Sequence, residues 1–430
     1  SLQQPLAHSL RPLLLRLRAP VLSASSSNST GAADALMKVE AAARAAAAGG
    51  AKAAAAGASL PEKNSSLKKP LVKSLSVITV NVPLKRPIVA SLGTFEYWPY
   101  MLIEISLSDG TIGKGYIGPY LVNYTQTIAL AMKELFKNFQ NREIAPYQFY
   151  NEGMNHLSLL GRSGIALYAL AGLDIAFWDA SSKICNEPLC VHLGGSVDKV
   201  KAYNSSGLWL DHPQTLYDEA LALIAEGNFD AVKVRLGRKK LDEDLKAIEN
   251  VKKGIGVNSE LLCDFNQCLS LPQAIHRLND LDEQGLYWFE EPIKYYEFEG
   301  YKELRKRMKT PIILGENFHG YDDAFTALKN QISDFIMPDL LRIGGVSAWL
   351  KTASIAEAFQ ISVSSHLYHE VSSHLMRVTP TAGYLEWTRW SDIILEEPYE
   401  LSDGHVVIPN KIGTGIDFNK ETIKKYEYKY

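Results

Sequence analysis

The chain has 430 residues, 46% hydrophobic and 22% charged, the balance of a soluble globular protein with room for a barrel of about 250 residues plus a smaller domain. A formal net charge of −3 gives no basic footprint for nucleic acid or an anionic membrane, and no apolar run reaches the ~18 residues of a bilayer-spanning helix. The four cysteines form two C-x4-C pairs, Cys185 with Cys190 and Cys263 with Cys268, a spacing that suits neither zinc ribbons nor redox C-x-x-C motifs; all four are expected to be reduced and structural.

Residues 1–72 differ in composition from the rest. LRPLLLRLRAPVLSASSS contains no acid, AAARAAAAGGAKAAAAG is of low complexity, and the first 60 residues hold only Asp34 and Glu40 as acids. Such a segment reads as a transit-like, added or linker tail outside the fold, with room for an Ala-rich helix near 33–48. A cytoplasmic location is expected, or organellar import if residues 1–30 act as a transit peptide.

From about Leu75 the pattern changes. SLSVITVNVPL and YMLIEISLSDGTIGKGYIG predict strands with a turn at Asp109-Gly110, and helices follow near 124–137 and in SGIALYALAGLDIAFWDASSKI. Residues 73–197 are thus expected to form an α+β capping domain. A β-α beat then begins, with strands predicted near 200–206, 231–236, 261–266, 287–291, 311–316, 334–339, 360–365 and 383–387. Eight strands close a small barrel. The fold class is therefore α/β, a (β/α)8-type, modified TIM barrel over 198–395, with residues 396–430 returning to the cap.

Ionisable residues end these strands. Asp264 lies in LLCDFNQ, Glu290 in YWFEEP and Glu316 in PIILGEN, each 26 residues from the next; Lys233 and Arg235 precede them, and Asp339, His366 and Glu386 follow. Strand ends of a parallel barrel share one rim, so these groups are expected to converge there. Three carboxylates aimed at one point repel one another unless a cation lies between them, and an all-oxygen set suits a hard ion such as Mg2+. A lone acid at a strand end more often caps a helix or pairs with a lysine; three at matched spacing do not fit that reading. Asp339 beside His366 would fix the ring's tautomer and make it a general base. Lys233 and Arg235, two apart on a strand, face the same way, and Arg235 is suited to binding oxygen atoms but not to accepting a proton.

LLCDFNQ, WFEEP, LGENF, MPDLLRIGGV, SSHLYHEVSSHL and GYLEW together resemble the mandelate racemase subgroup of the enolase superfamily, over about residues 75–430. The resemblance implies a capped, modified barrel, Mg2+ (or Mn2+) on Asp264, Glu290 and Glu316, and removal of the proton alpha to a carboxylate through an enediolate. It also implies His366 with Asp339 as a base, Glu386 as a donor to the substrate carboxylate if its pKa is raised, Lys233 as a carboxylate or base-adjacent contact, and Ser205 and Asn266 as substrate and site contacts. IVASLGTFEYWPYM corresponds to the family's mobile covering loop, and Phe95, Tyr97, Trp98 and Tyr100 in it would either suit an apolar substrate or pack cap against barrel. A small-molecule carboxylate is the expected partner, with a homo-oligomer implied by the resemblance. Racemases of this subgroup carry Lys-x-Lys where this chain has Lys233-x-Arg235. One base, His366, suffices for β-elimination, so dehydration of a hydroxy acid or acid sugar is expected. A racemase or epimerase of a 2-hydroxy acid is the first alternative, and a catalytically silent metal- or ligand-binding relative the second.

Overall fold

The computed structural model describes residues 68–91 and 93–430, so the Ala-rich stretch and residues 1–67 of the expected tail lie outside the described residues. Among the described residues no helix is long and apolar enough to cross a membrane.

β-Branched and aromatic residues alternate through β1 (Val72–Ala90) and β2 (Gly93–Leu107), which pair antiparallel, and β3 (Ile112–Ile117) joins β2 beyond the turn at Asp109-Gly110. Most of the segment expected as a mobile covering loop is strand instead. Ile88 faces Phe95 and Val89 faces Thr94, β-forming pairs that carry the hairpin almost to its tip. The tip meets the barrel, where Leu210 N donates to Val89 O at 3.0 Å. Behind the sheet lie α1 (Thr125–Phe136), α2 (Pro146–His156) and α3 (Gly164–Ile184). Helix α3 presses onto β3 at Gly113, where a Cβ would come within 2.2 Å of Ala176 O. Its sequel is the short helix α4 (Leu189–His192).

The barrel strands are β4 (Lys199–Asn204), β5 (Ala231–Arg235), β6 (Glu260–Asp264), β7 (Phe289–Glu290), β8 (Ile312–Leu314), β9 (Phe335–Ile336), β10 (Ser362–Val363) and β11 (Leu385–Trp387), paired in parallel sequence from β4 to β10. Strand β11 pairs with β4, and the seam from β10 to β11 runs through backbone bonds from Gly383 N to Val363 O and from Ser365 N to Tyr384 O. Connecting helices are α5 (Leu216–Ala225), α6 (Leu241–Ile255), α7 (Leu271–Leu281), α8 (Phe298–Arg307), α9 (Tyr321–Lys329), the single turn α10 (Leu340–Ile343), α11 (Val346–Phe359) and α12 (His369–Met376). Tyr203, Leu262, Trp288, Ile313, Met337 and Tyr384 form one apolar cluster inside the barrel, so the barrel is a packed core beneath its rim rather than a pore.

After the barrel, β12 (Leu401–Ser402) pairs antiparallel with β13 (His405–Val407), which in turn pairs antiparallel with β4, and α13 (Lys420–Tyr426) follows. This segment also reaches the cap. Thr414 donates from N and Oγ1 to Asp179 Oδ1 at 2.6 and 2.8 Å, and Tyr428 N donates to Thr79 O. Cap and barrel meet where Asp174 of α3 accepts from Ser347 N and Oγ at the start of α11, at 2.8 and 2.7 Å. Burial pushes the Asp174 carboxyl up to about 7 despite those hydrogen bonds.

Candidate active site

Asp264 and Glu290 are the last residues of β6 and β7, and Glu316 stands two residues past β8. Gly315 allows that exit: its φ is +141°, and a Cβ there would meet Met337 N at 2.9 Å. One oxygen from each of the three carboxylates falls in a group whose members all lie within 4.8 Å of one another. Burial, reinforced by the Asp264 charge, pushes Glu290 up to about 8, and burial also raises Asp264 against the pull of Arg235. Burial acts the same way on Glu316, but His366, Arg342 and Lys233 outweigh it and hold that carboxyl low. Glu290 Oε2 is buried with no hydrogen-bond partner. Mutually repelling carboxylates with an orphaned oxygen among them fit a hard divalent cation.

Lys233 and Arg235 project from β5 into the same cluster. Lys233 is fully buried, with Nζ 3.0 Å from Glu290 Oε1, 2.8 Å from Glu386 Oε1 and 3.9 Å from Asp264 Oδ2. Burial would lower its pKa, but Glu290 and Glu386 reverse the sign and keep the ammonium charged. Arg235 Nε lies 3.3 Å from Asp264 Oδ2 without hydrogen-bond alignment, and its Nη2 donates to Ser205 Oγ at 3.3 Å. Ser205 therefore orients Arg235.

On the other flank His366 Nδ1 lies 2.6 Å from Asp339 Oδ2, and Nε2 points inward, 3.2 Å from Glu316 Oε2. Burial would lower the imidazole pKa, but Glu316, Glu386 and Asp339 push it up to about 9. Around Glu386 the charges favour the ionised form. A neutral donor needs a raised pKa; here Lys233, His366 and Arg235 overcome burial and hold the carboxyl well below the usual range. In addition its Oε2 accepts from Leu367 N at 2.9 Å, a bond that favours the carboxylate form. Asn266, expected as a substrate contact, spends its donors on a neighbour: N and Nδ2 give to the two oxygens of Asp264 at 2.7 and 2.8 Å.

Comparison with known proteins agrees with this layout. The model for the mandelate racemase / muconate lactonizing enzyme N-terminal domain matches residues 73–194, and the enolase C-terminal domain-like model matches 215–422. An enolase from alpha pretobacterium bal199, solved with bound Mg, is 39% identical, and the superposition has a TM-score of 0.83 over 84% of this chain and 100% of that one. The chain belongs to the mandelate racemase / muconate lactonizing enzyme family. A Bradyrhizobium enolase complexed with magnesium and mandelic acid is 30% identical, with a TM-score of 0.81 over 84% of this chain and 100% of that one. The L-talarate/galactarate dehydratase of Salmonella typhimurium is 30% identical over 262 residues, 61% of this chain and 66% of that enzyme.

Several groups at this family member's site carry no signal on the strand beat. Arg342, three residues past Asp339, places Nη1 3.4 Å from Glu316 Oε1 and donates to Asn317 Oδ1 at 2.7 Å. Asn317 in turn donates to Glu291 Oε2 at 2.7 Å, and burial raises Glu291 well above a normal carboxyl. The spacing P-D-x-x-R and the pair Glu316-Asn317 were the available clues. A row of aromatic rings also joins the two arginines. Arg342 lies over Tyr120 (4.5 Å), Tyr120 meets Trp98 edge-on (5.0 Å), Trp98 meets Trp390 (5.1 Å), Trp390 meets Trp209 (6.0 Å), and Trp209 lies under Arg235 (4.6 Å). Trp98 and Tyr120 come from the cap, Trp209 and Trp390 from the barrel. Phe95 is half-buried, edge-on to Trp98 at 6.5 Å, and Tyr97 is exposed.

Proposed function

We propose that this chain is a Mg2+-dependent hydro-lyase that removes the proton alpha to the carboxylate of a hydroxy acid or acid sugar and expels a β-hydroxyl as water. Asp264, Glu290 and Glu316 would hold the ion, and Mn2+ satisfies the same oxygen set. When bound, the ion supplies Lewis-acid neutralisation of the charge that grows on the substrate carboxylate.

His366 is the assigned base. Asp339 holds Nδ1–H, so Nε2 presents the lone pair toward the cluster. Glu316 and Glu386 facing the ring raise the imidazole pKa, and a cation held by Glu316 would weaken that pull and favour the neutral ring. Lys233, held cationic, meets developing negative charge. Arg235 stands against Asp264, on the flank opposite His366, and keeps its proton. Having taken the alpha proton, His366 returns it to the departing hydroxide, so one base completes the cycle. For a 2,3-dihydroxy acid, loss of water gives an enol that ketonises to the 2-keto-3-deoxy acid.

The pairing of one competent base with a fixed cation on the opposite flank carries this reading. Relatives such as the Salmonella dehydratase support the substrate class. Racemisation of a 2-hydroxy acid is the second reading, favoured by the aromatic row and by the likeness to the enolase complexed with mandelic acid. The test is to incubate the Mg2+-loaded protein with hydroxy acids and acid sugars in D2O. NMR should show alpha-deuteration of one enantiomer and a keto product; equal exchange of both enantiomers without keto product would select the racemase instead. The reading takes a small carboxylate as partner and a homo-oligomer as the working form, which light scattering measures.

A further inference from the structure

We propose that Cys185, Glu187 and His192 form a second metal site, selective for Zn2+ over Mg2+, at the C-terminal end of helix α3. The three residues share no side chain with the rim. Helix α3 ends at Ile184; Asn186 adopts the left-handed conformation (φ 57°), and Glu187 N bonds back to Ser182 O at 3.1 Å. That reversal, followed by the short helix α4, returns Glu187 and His192 to the Cys185 thiol.

The Cys185 Sγ, a Glu187 carboxylate oxygen and a His192 ring nitrogen all lie within 4.8 Å of one another. His192 Nδ1 is 3.4 Å from Glu187 Oε2. Two ligands of a tetrahedral zinc at bond lengths of ~2.0–2.1 Å stand about 3.4 Å apart, so this edge is already set. His192 Nε2 lies 3.1 Å from Ser181 Oγ. With Nε2–H donating to Ser181, Nδ1 turns its lone pair toward the thiol and carboxylate, as zinc-bound imidazoles do. The C-terminal end of the 21-residue helix α3 adds partial negative charge.

Donor chemistry separates the two sites. Thiolate and imidazole select Zn2+, whereas the all-carboxylate rim selects Mg2+. Cys185 and His192 line a groove of about 310 Å3 together with Tyr147, Trp178 and Lys69, with room for a water to complete the ligand set. Cys185 thereby departs from the structural role expected of all four cysteines. Binding also braces the fold, because Glu187 O accepts from Gly413 N and Leu189 N donates to Gly413 O in the C-terminal segment.

The test uses the reduced full chain, with the rim saturated by Mg2+, titrated with Co2+ as a spectroscopic substitute for Zn2+. One equivalent should produce a thiolate-to-cobalt charge-transfer band that Zn2+ displaces, together with a rise in melting temperature. Cys185→Ser and His192→Ala should lose the band while Mg2+-dependent turnover stays at the wild-type level. Ser181→Ala, which keeps all three ligands, should weaken binding by roughly 10- to 100-fold. Absence of the band in the wild type, or its survival in Cys185→Ser, overturns the proposal. Cys185 is exposed, so that variant is expected to fold.

Discussion

Two sets of buried acids differ in what surrounds them. Asp179 on α3 and Asp244 on α6 are fully partnered. Asp179 receives Thr414 N and Oγ1, Lys114 N and the Lys183 ammonium, and Asp244 receives Gly237 N, Arg238 N and the guanidinium groups of Arg238 and Arg277. The rim acids Asp264 and Glu290 are as enclosed and Glu316 is partly so, but the three face each other, and Glu290 Oε2 has no partner. Burial is common to both sets; incomplete pairing belongs to the rim. An acid that is enclosed and underpaired is left short of a counter-charge, whereas an acid that is enclosed and saturated joins segments of chain.

The largest effects should fall on turnover at the rim. Glu290→Gln, or exhaustive chelation of the wild type, should lower turnover by about a thousandfold or more, with no loss of melting temperature in the metal-free protein. His366→Asn should cut alpha-proton exchange by about a thousandfold and leave metal affinity in place. Persistent turnover after chelation would collapse the distinction between the two sets.

At the saturated acids the consequence should be the reverse. Asp244→Ala leaves two arginines facing a hole and should cost about 3–5 kcal/mol in denaturant unfolding, while activity per folded molecule is unchanged. Asp174 is intermediate, enclosed and partnered only by Ser347 and the neighbouring backbone. Its folded pKa of about 7 lies above the unfolded 3.8, so the stability it contributes is fully present below about pH 4 and is lost as pH rises through 7. The loss is on the order of 4 kcal/mol, and Asp174→Asn should flatten that part of the profile. The smallest effect is a gain. Arg235→Lys should introduce slow exchange of the opposite enantiomer, a few per cent of the main rate, read by NMR in D2O.

The strand beat was legible because each barrel strand ends in a run of apolar residues closed by an ionisable one, as at Asp264 and Glu290. Arg342 and Asn317 lie beyond the strand ends, and only the folded loops bring them to Glu316. The covering hairpin reads as a loop because Ser91 and Gly93 interrupt the pattern, although Ile88 and Phe95 on either side are strand formers. Ionisation was the least legible property. Nothing local to GYLEW indicates that Lys233, 153 positions earlier, reaches Glu386 at 2.8 Å and lowers its pKa. Trp209 and Trp390 gave no signal of their own, because their significance lies in the ring each one meets.

That row of rings makes the protein its own optical probe. Trp98, Trp209 and Trp390 lie within 5–6 Å of one another in sequence along the row, and its ends rest on the guanidinium groups beside Asp264 and Glu316. Whatever draws those guanidinium groups toward a new charge changes the field and the quenching felt by three indoles at once. Intrinsic emission is therefore expected to change with occupancy of the rim without an attached dye, and Trp98→Phe should reduce that change, as read by titration with Mg2+.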